Sequence, residues 1–306
     1  MRAQISALGL GTAVRRLLDI RMGRLHQYPP KPLSVLKVDV LGEHKALPRI
    51  ALVTPSFNQA KFVGKTINSV REQHYQNLHY VIQDACSKDG TAEVLKLFQD
   101  AGFDIRIEPD QGQADALNKG FARTSADIMG YLNSDDLLLP GTLHFVAQYF
   151  HDNPSVDVIY GNRLIIDELG REVGRWILPG HDPQVLRFVD YVPQESMFWR
   201  RRIWEFTGSK FDASLQFAMD WDLILRFLDS RAVFHHVPEL FGVFRVHGEQ
   251  KSQANFVTCG AKEMAALRFR HGDASLSRLQ RIWLHARYLY RHVKADAAWQ
   301  AGRFLN

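Results

Sequence analysis

Acidic side chains recur directly after short apolar segments of this sequence. The three groups are Asp84 with Asp89, Asp110 before the turn-forming residues 111–120, and the adjacent pair Asp135 and Asp136. One such aspartate alone is most often a turn or helix-capping residue. Three groups meeting at one place would repel one another unless a cation lay between them, and Mg²⁺ or Mn²⁺ is typically held by one or two carboxylates plus substrate phosphates. The pattern therefore predicts a divalent metal site that also binds a phosphorylated ligand.

The pair Asp135 and Asp136 follows the apolar residues 128–132 and is the sharpest local signal. Adjacent carboxylates at the end of a buried strand can divide two tasks, one binding a metal ion and the other a ribose hydroxyl. A metal ion that bridges a diphosphate neutralises the charge that develops on a leaving nucleotide. The pair therefore indicates chemistry in which a nucleotide is the leaving group.

Asp220 and His247 are two further candidates. Asp220 and Asp222 open a segment with helical apolar spacing, where acidic residues are favoured by the helix dipole alone. If the reaction needs a base for an acceptor hydroxyl, Asp220 is the candidate, and burial must then raise its pKa from about 4. A lone histidine is usually structural or exposed, but the position of His247 beside Arg245 and after a predicted strand favours a phosphate or metal role.

The elements that must position these residues alternate along the chain. Strands are predicted at 49–56, 79–84, 104–108, 127–132 and 156–161, and helices at 57–74, 91–100, 113–124 and 140–150. This order with short loops is typical of a doubly wound, mostly parallel α/β sheet of the Rossmann type. Ligands of such sheets bind beyond the carboxyl ends of the strands, where the acidic groups lie.

The second half of the chain is less regular. We expect a hairpin over 163–176 with its turn at 168–170, a helical patch at 183–189, a strand at 196–199, a helix at 220–228 and strand-rich residues 232–246. Residues after about 256 are predicted to form a helical appendage. The expected organisation is an N-terminal basic extension (1–47), a catalytic α/β domain (48–253) and a C-terminal basic amphipathic helical region (254–306).

Composition limits the class of protein more than it identifies it. The net charge of +5 is a modest excess that ordinarily decorates a surface, and no nucleic-acid partner is expected. Two cysteines provide neither a disulfide framework nor a metal-ligand spacing, which fits a reducing compartment. No apolar segment approaches twenty residues, and the N-terminal residues lack a secretory signal pattern. We therefore expect a cytoplasmic protein, with possible peripheral contact on the inner face of the membrane.

An ordered set of motifs resembles the family-2 nucleotide-sugar glycosyltransferases, which are inverting enzymes of the GT-A fold. The motifs are Thr54-Pro55-Ser56-Phe57-Asn58-Gln59, Ser69-Val70-Arg71-Glu72-Gln73, Asp84-Ala85-Cys86-Ser87-Lys88-Asp89-Gly90-Thr91, Asp110 to Gly120, Leu132-Asn133-Ser134-Asp135-Asp136, Phe198-Trp199-Arg200-Arg201, Met219-Asp220-Trp221-Asp222 and Phe244-Arg245-Val246-His247. Together they cover about residues 48 to 253. One such motif would be weak, but the ordered set is specific.

The resemblance implies a role for each matching residue. It places Thr54, Pro55, Ser56 and Asp84 in the nucleotide pocket, with Asp110, Gly112 and Asn118 as the second wall. It implies that Asp135 and Asp136 hold ribose and metal, with Asp136 favoured as the ligand of Mn²⁺ or Mg²⁺, and that His247 approaches the metal or diphosphate. It implies that Asp220 is the catalytic base. The co-substrates would be a nucleotide-sugar donor and a glycan or lipid-linked acceptor.

Two positions depart from the family pattern. Ala85 and Cys86 stand where Gly-Gly is usual, which makes the pocket floor bulkier, and Cys86 is more simply a small apolar filler than a reactive thiol. Met219 stands where glutamate usually precedes the base, which leaves open what sets the pKa of Asp220.

Three other functions explain these residues less well. A sugar-1-phosphate nucleotidyltransferase would need a glycine-rich loop after the first strand, where this chain has Pro-Ser-Phe-Asn-Gln. A glycosidase needs two carboxylates and no nucleotide pocket. A non-catalytic carbohydrate- or nucleotide-binding protein would have no need to retain mutually repelling acids.

The C-terminal region has two interpretations. Apolar residues from Leu276 to Val293 recur at helical spacing, interleaved with arginines and a lysine. Either this helix packs its apolar face on the catalytic domain, or it rests on an anionic membrane with Trp and Tyr at the interface. The basic residues around 15–18 could assist membrane contact.

Overall fold

The computed structural model describes residues 20–33, 37–38, 47–248, 259–272 and 275–303. Its first half alternates strands and helices in the predicted order. The elements are β1 (Ile50–Ser56), α1 (Val63–Arg71), β2 (Leu78–Asp84), α2 (Thr91–Lys96), β3 (Asp104–Ile107), α3 (Gln113–Ala122), β4 (Ile128–Tyr131), β5 (Leu137–Leu138) and α4 (Thr142–Asp152). The short strand β5 was not predicted.

The second half is built from longer strands and shorter helices. The elements are β6 (Val158–Ile166), β7 (Glu172–Trp176), α5 (Pro183–Leu186), β8 (Met197–Arg200), α6 (Arg201–Phe206), α7 (Met219–Asp229), β9 (Phe234–Arg245), α8 (Ala261–His271) and α9 (Arg278–Arg303). The predicted C-terminal helices are therefore present. The predicted domain boundary at 253 and 254 lies outside the described residues, as do residues 15–18.

The nine strands of the described residues form one sheet in the order β3-β2-β1-β4-β8-β6-β9-β5, with β7 paired to β6. The strands β3, β2, β1 and β4 are parallel, and the predicted mostly parallel α/β fold is confirmed. β8 then runs antiparallel between β4 and β6. The carboxyl ends of β1, β2 and β4 consequently share one edge, where the acidic groups follow them.

The strand predicted to stop at residue 161 instead continues to Ile166 as a single long β6. Gly161 and Asn162 are residue types that favour the end of a strand. In the structure Gly161 packs against Phe241 of β9, where an added Cβ would lie 2.7 Å from the ring. The pairing with β9 shifts register around Asn162 without ending. One strand thus serves both the sheet and the hairpin with β7.

Apolar residues cover both faces of the sheet, as strands buried on two sides require. Val53 and Val81 contribute to one core cluster, and Leu52 and Ile82 to the other. Successive side chains of a strand point to opposite faces, so these neighbours feed different layers.

The helix α9 packs on the sheet layer rather than standing apart. Leu284 and Tyr288 join the core cluster, and Tyr288 lies 4.6 Å from the ring of Tyr191. His292 is fully buried; its Nδ1 donates to the carbonyl of Ile177 at 2.7 Å and its Nε2 accepts from the amide of Met22 at 3.0 Å. The packing interpretation of the C-terminal helix is therefore correct for this face.

Candidate active site

The first wall of the candidate site is the end of β1. Thr54 is fully buried and its hydroxyl pairs with that of Tyr80 at 2.8 Å, so it supports the floor from beneath instead of facing a ligand. Pro55 and Ser56 complete the strand, and the Ser56 hydroxyl has no hydrogen-bond partner among the described residues. Within this predicted group, Ser56 is therefore the residue whose buried hydroxyl has no hydrogen-bond partner among the described residues.

Asp84 ends β2 beside Ser56, with which it is paired in register. Its carboxyl accepts hydrogen bonds from the amide (2.9 Å) and hydroxyl (2.7 Å) of Ser87, which fixes the turn that follows. Cys86 within this turn has φ of +59°, a left-handed conformation that glycine adopts at little cost. The backbone geometry accounts for the glycines that are usual at this turn.

Asp110 and Gly112 form the neighbouring wall, where α3 begins. The Gly112 amide donates to Asp110 Oδ1 at 2.8 Å, and the φ of +120° at this position suits glycine. Burial raises the pKa of Asp110 above its ordinary value. Asn118 does not join this wall, because its amide group binds the backbone of Phe211 in both directions, at 3.0 and 2.8 Å. Its role is to hold the loop that precedes α7.

Asp135 and His247 are brought together from β4 and β9. Asp135 Oδ2 lies 2.9 Å from His247 Nε2, although the residues are 112 apart in the chain. The His247 ring packs against Phe62 at 4.6 Å, and its side chain is only 2% exposed. The Asp135 side chain keeps 15% exposure, so this pair faces the cleft from a fixed position.

Asp136 points the other way, into the protein. It is 1% exposed, and its Oδ1 accepts a hydrogen bond from the Arg245 amide at 2.9 Å. Burial, and next the charge of Asp135, raise its pKa well above the ordinary value. The preference for Asp136 as metal ligand stays a prediction: its Oδ1 ties β4 to β9, whereas Asp135 has the more exposed carboxyl and contacts His247.

A divalent cation fits this arrangement only with help from a ligand. Among the described residues no group of three or more His, Cys, Asp or Glu side chains could hold a metal ion. Asp135 and His247 offer two adjacent donors, and Mg²⁺ or Mn²⁺ commonly completes such a set with substrate phosphates. The residues thus fit a metal that binds together with a diphosphate.

Asp220 begins α7 and faces the same cleft. Its Oδ1 accepts from the Trp221 amide at 2.8 Å, and burial raises its pKa, the direction a general base requires. Asp222, the alternative base, is 2% exposed and bound to Arg226 at 2.8 Å. The structure therefore separates the two acids: Asp222 stabilises the helix, and Asp220 remains the base candidate.

A buried ion pair beside these acids was missed by sequence reasoning. Arg163 donates to both carboxyl oxygens of Glu195, at 2.7 and 2.6 Å, and its guanidinium lies 4.3 Å from the ring of Phe244. Its positive charge opposes, without cancelling, the burial that raises the pKa values of Asp136 and Asp220. The available signal was Glu195 itself, because a glutamate directly before a buried strand needs a cation.

Asp190 was also missed. It lies in the loop 187–193, partly buried, and its pKa is raised well above the ordinary value, by burial first and then by the charge of Asp220. Burial, and next the charges of Asp220, Asp190, Glu195 and Asp136, raise the pKa of the Tyr131 hydroxyl well above its ordinary value. No sequence pattern distinguishes Asp190 from a surface loop aspartate.

Comparison with known proteins places these features in a context. Residues 51–223 match the model of the family described as Glycosyl transferase family 2. An O-antigen biosynthesis protein, RfbC of Myxococcus xanthus, is 28% identical over 199 residues, which are 63% of this chain and 15% of that protein. The chain thus spans a small part of the length of this relative.

Two solved structures have a similar fold. S. aureus TarS 1–349 in complex with UDP-GlcNAc gives a TM-score of 0.61 at 16% identity, covering 80% of this chain and 73% of that one. The mannosyltransferase PcManGT from Pyrobaculum calidifontis, in complex with GDP-Man and Mn²⁺, gives 0.60 at 18% identity, covering 99% and 85%. At these identities the likeness concerns the fold.

Proposed function

Because the chain belongs to glycosyl transferase family 2, we propose that it transfers a sugar from a nucleoside diphosphate sugar to an acceptor hydroxyl during synthesis of a polysaccharide or cell-surface glycan. The observation that carries the proposal is the 2.9 Å contact of Asp135 with His247 after β4, beside the parallel strands that end in Ser56 and Asp84. The relative from O-antigen biosynthesis supports the class of product.

The nucleotide occupies the edge formed by the ends of β1 and β2 in this proposal. Ser56 offers a hydroxyl that is not hydrogen-bonded within the described residues, and Asp84 and Asp110 border the pocket. Asp135 and His247 would hold a divalent cation, which supplies Lewis-acid stabilisation of the diphosphate when bound. The UDP-GlcNAc and GDP-Man complexes of the two fold neighbours support a donor of this chemical class.

Asp220 removes the proton from the acceptor hydroxyl as that oxygen attacks the anomeric carbon. The bond from this carbon to the diphosphate oxygen breaks in the same step, and the nucleoside diphosphate leaves. Its raised pKa makes the carboxylate a better base, and the bond to the Trp221 amide fixes its orientation. A single displacement by the acceptor inverts the configuration of the anomeric carbon. A nucleotidyltransferase ranks lower because the loop after β1 has no glycine to approach phosphates.

The test is a thermal-shift panel of UDP, GDP and other nucleoside diphosphates with Mn²⁺ or EDTA, followed by donor turnover with the best binder. A ligand bound only by the folded state raises the melting temperature with concentration. We expect one nucleotide to stabilise the protein, more strongly with Mn²⁺. Asp220→Asn should keep this shift and lower turnover by about 100-fold or more. A product that retains the donor's anomeric configuration contradicts the mechanism.

Contact with an anionic membrane is the second part of the proposal, and the outer face of α9 supports it. Leu279, Ile282, Trp283 and Tyr290 are 56 to 79% exposed, opposite the face that packs on Tyr191. Arg287 lies over the Trp283 ring at 5.1 Å and Lys294 over Tyr290 at 4.8 Å. Aromatic side chains with adjacent cations match a headgroup region, and the cytoplasmic leaflet has the negative surface potential. None of the helices in the described ranges is long and apolar enough to span a bilayer.

Vesicle sedimentation at low and high salt tests this contact. The full chain should pellet with vesicles containing phosphatidylserine at low salt and be released by high salt. The double variant Trp283→Ser with Tyr290→Ser should stay in the supernatant while keeping its melting temperature, because both side chains are exposed. Equal binding of the variant, or no binding of the wild type, contradicts the proposal. Truncation before α9 is unsuitable, since it would uncover the core around Tyr288.

A further inference from the structure

The loop 187–193 is held against the start of α7 from both ends. Trp221, next to the proposed base, donates from Nε1 to the carbonyl of Leu186 at 2.9 Å. Arg268 of α8 donates from Nε to the carbonyl of Phe188 at 2.8 Å and lies over the Trp221 ring. On the far side Tyr191 accepts from the Asp182 amide at 2.9 Å through its hydroxyl. The loop is therefore a fixed wall of the cleft.

One polar side chain of this wall, that of Asp190, makes no hydrogen bond to any of the described residues. The charged groups that act on it are Asp220, Arg163 and Arg268. Arg163 is occupied by both oxygens of Glu195, and Arg268 by the Phe188 carbonyl. Asp190 thus lies in a loop that packs on Trp221, the chain neighbour of the proposed base, and none of the described residues hydrogen-bonds its carboxyl oxygens.

An unsatisfied, partly buried carboxyl beside a second carboxyl is unfavourable for folding, since burial penalises polar groups that lack partners. Both pKa values are raised, that of Asp190 by burial and then by Asp220. A ligand with hydroxyl groups relieves this cost, because hydroxyls can donate to one carboxyl and accept from a protonated one. An acceptor that reacts through a phosphate or carboxylate would instead be repelled.

This inference rests on the proposed function and specifies its acceptor. We propose that Asp190 is a positioning residue that binds a second hydroxyl of the acceptor, so that the reacting hydroxyl lies at Asp220. The acceptor is then a sugar ring with a free hydroxyl near the reacting one. An isolated lipid alcohol has no second group to offer Asp190.

The test separates transfer to a sugar from transfer to water. Wild type, Asp190→Ala, Asp190→Asn and Asp220→Asn are assayed with UDP-GlcNAc or GDP-mannose, whichever the wild type turns over. Donor hydrolysis uses water as acceptor, and transfer uses a panel of methyl glycosides. Glu205→Gln, an exposed substitution on α6, is the matched control.

Asp190→Ala should leave donor hydrolysis within about 2-fold of wild type and raise the acceptor KM by roughly 10- to 100-fold, the usual effect of losing a hydrogen bond to a charged group. Asp190→Asn should restore part of the loss, because its amide still binds a hydroxyl. A deoxy analogue of the best methyl glycoside, lacking the contacted hydroxyl, should be used equally by wild type and Asp190→Ala. Asp220→Asn should lose both reactions.

An unchanged acceptor KM in Asp190→Ala overturns the inference, as does an equal loss of hydrolysis and transfer. Failure of the wild type to use any methyl glycoside, with hydrolysis intact, also overturns it. Absence of donor turnover by the wild type is a different result, which overturns the proposed function itself. Melting temperatures of all variants show whether a loss reflects unfolding.

Discussion

Asp135 and Asp136 are adjacent in the chain, but only Asp135 presents its carboxyl to the cleft. Asp136 is almost fully buried and bonded to the Arg245 amide, whereas Asp135 meets His247. The sequence predicted that the two carboxylates divide their tasks. It could not predict which one faces the ligand, since that depends on the turn at residues 133–136 and on the arrival of β9 more than 100 residues later.

Substitution of Asp135 should therefore weaken metal-dependent binding, whereas substitution of Asp136 should lower the stability of the protein. Asp135→Ala should abolish the extra stabilisation that Mn²⁺ gives to nucleotide binding, while the free energy of unfolding changes little. Asp136→Ala should lower the free energy of unfolding by about 1–3 kcal/mol, because a buried amide loses its acceptor. Urea unfolding and the Mn²⁺-dependent thermal shift measure the two effects. Metal dependence that survives Asp135→Ala but not a conservative Asp136→Asn would identify Asp136 as the metal ligand instead.

At the scale of elements, β6, β8 and β9 meet where the Arg163–Glu195 ion pair is buried. Gly242 of β9 makes this approach possible, since a Cβ there would lie 2.4 Å from the Glu195 side chain and 2.8 Å from its carbonyl oxygen. Arg163 of this pair contributes a positive charge that acts on Asp136 and Asp220, and Glu195 contributes an opposing negative one. The close packing of β9 is therefore a condition for the electrostatics of the cleft.

Gly242→Ala should destabilise the protein by roughly 2 kcal/mol or more, because overpacking displaces the backbone and a buried charge. Gly302→Ala is the matched control: nothing lies within 4 Å of its added Cβ, and it should be neutral or slightly stabilising. Chemical denaturation of the two variants gives the comparison. Equal stability of Gly242→Ala and wild type would show that β9 can move without cost.

The parallel half of the sheet was predictable because local patterns determine it. Short apolar strands ending in polar loops placed Ser56, Asp84 and Asp110 at one edge before any contact was known. The second half of the sheet was harder to predict. β6 continues through Gly161 and Asn162 because it pairs with β9, and the residues next to these two in the chain do not indicate that pairing. Asp190 and the Arg163–Glu195 pair depend on the same distant contacts.

The whole molecule carries buried histidines whose protonation opposes folding. Burial lowers the pKa values of His181 and His236 to about 4. In the unfolded chain the pKa of histidine is about 6.5. Below that pH the unfolded state binds protons, whereas these two histidines stay neutral in the folded state until the pH approaches 4. Their stabilising contribution is complete above pH 6.5 and is lost as the pH falls toward 4, by about 3 kcal/mol per histidine.

This loss should be visible in the pH dependence of urea unfolding between pH 7.5 and 4.5. Asp136, Asp190 and Asp220 act in the opposite direction, because their raised pKa values favour proton uptake by the folded state. The comparison of wild type with His236→Gln isolates the histidine. The variant should lose less stability than wild type over this range, and parallel curves would contradict the assigned pKa.

The hydrogen bond from Met22 to His292 joins residues 270 positions apart. Contacts of such long sequence separation form slowly, because a large loop must close before they contribute. During synthesis the segment containing Met22 leaves the ribosome long before α9 exists, and the core position of Tyr288 stays open until then. The core cluster that contains Tyr131 and Trp221 is therefore filled only when α9 docks. The aromatic face of α9 takes its outward orientation at that same late step.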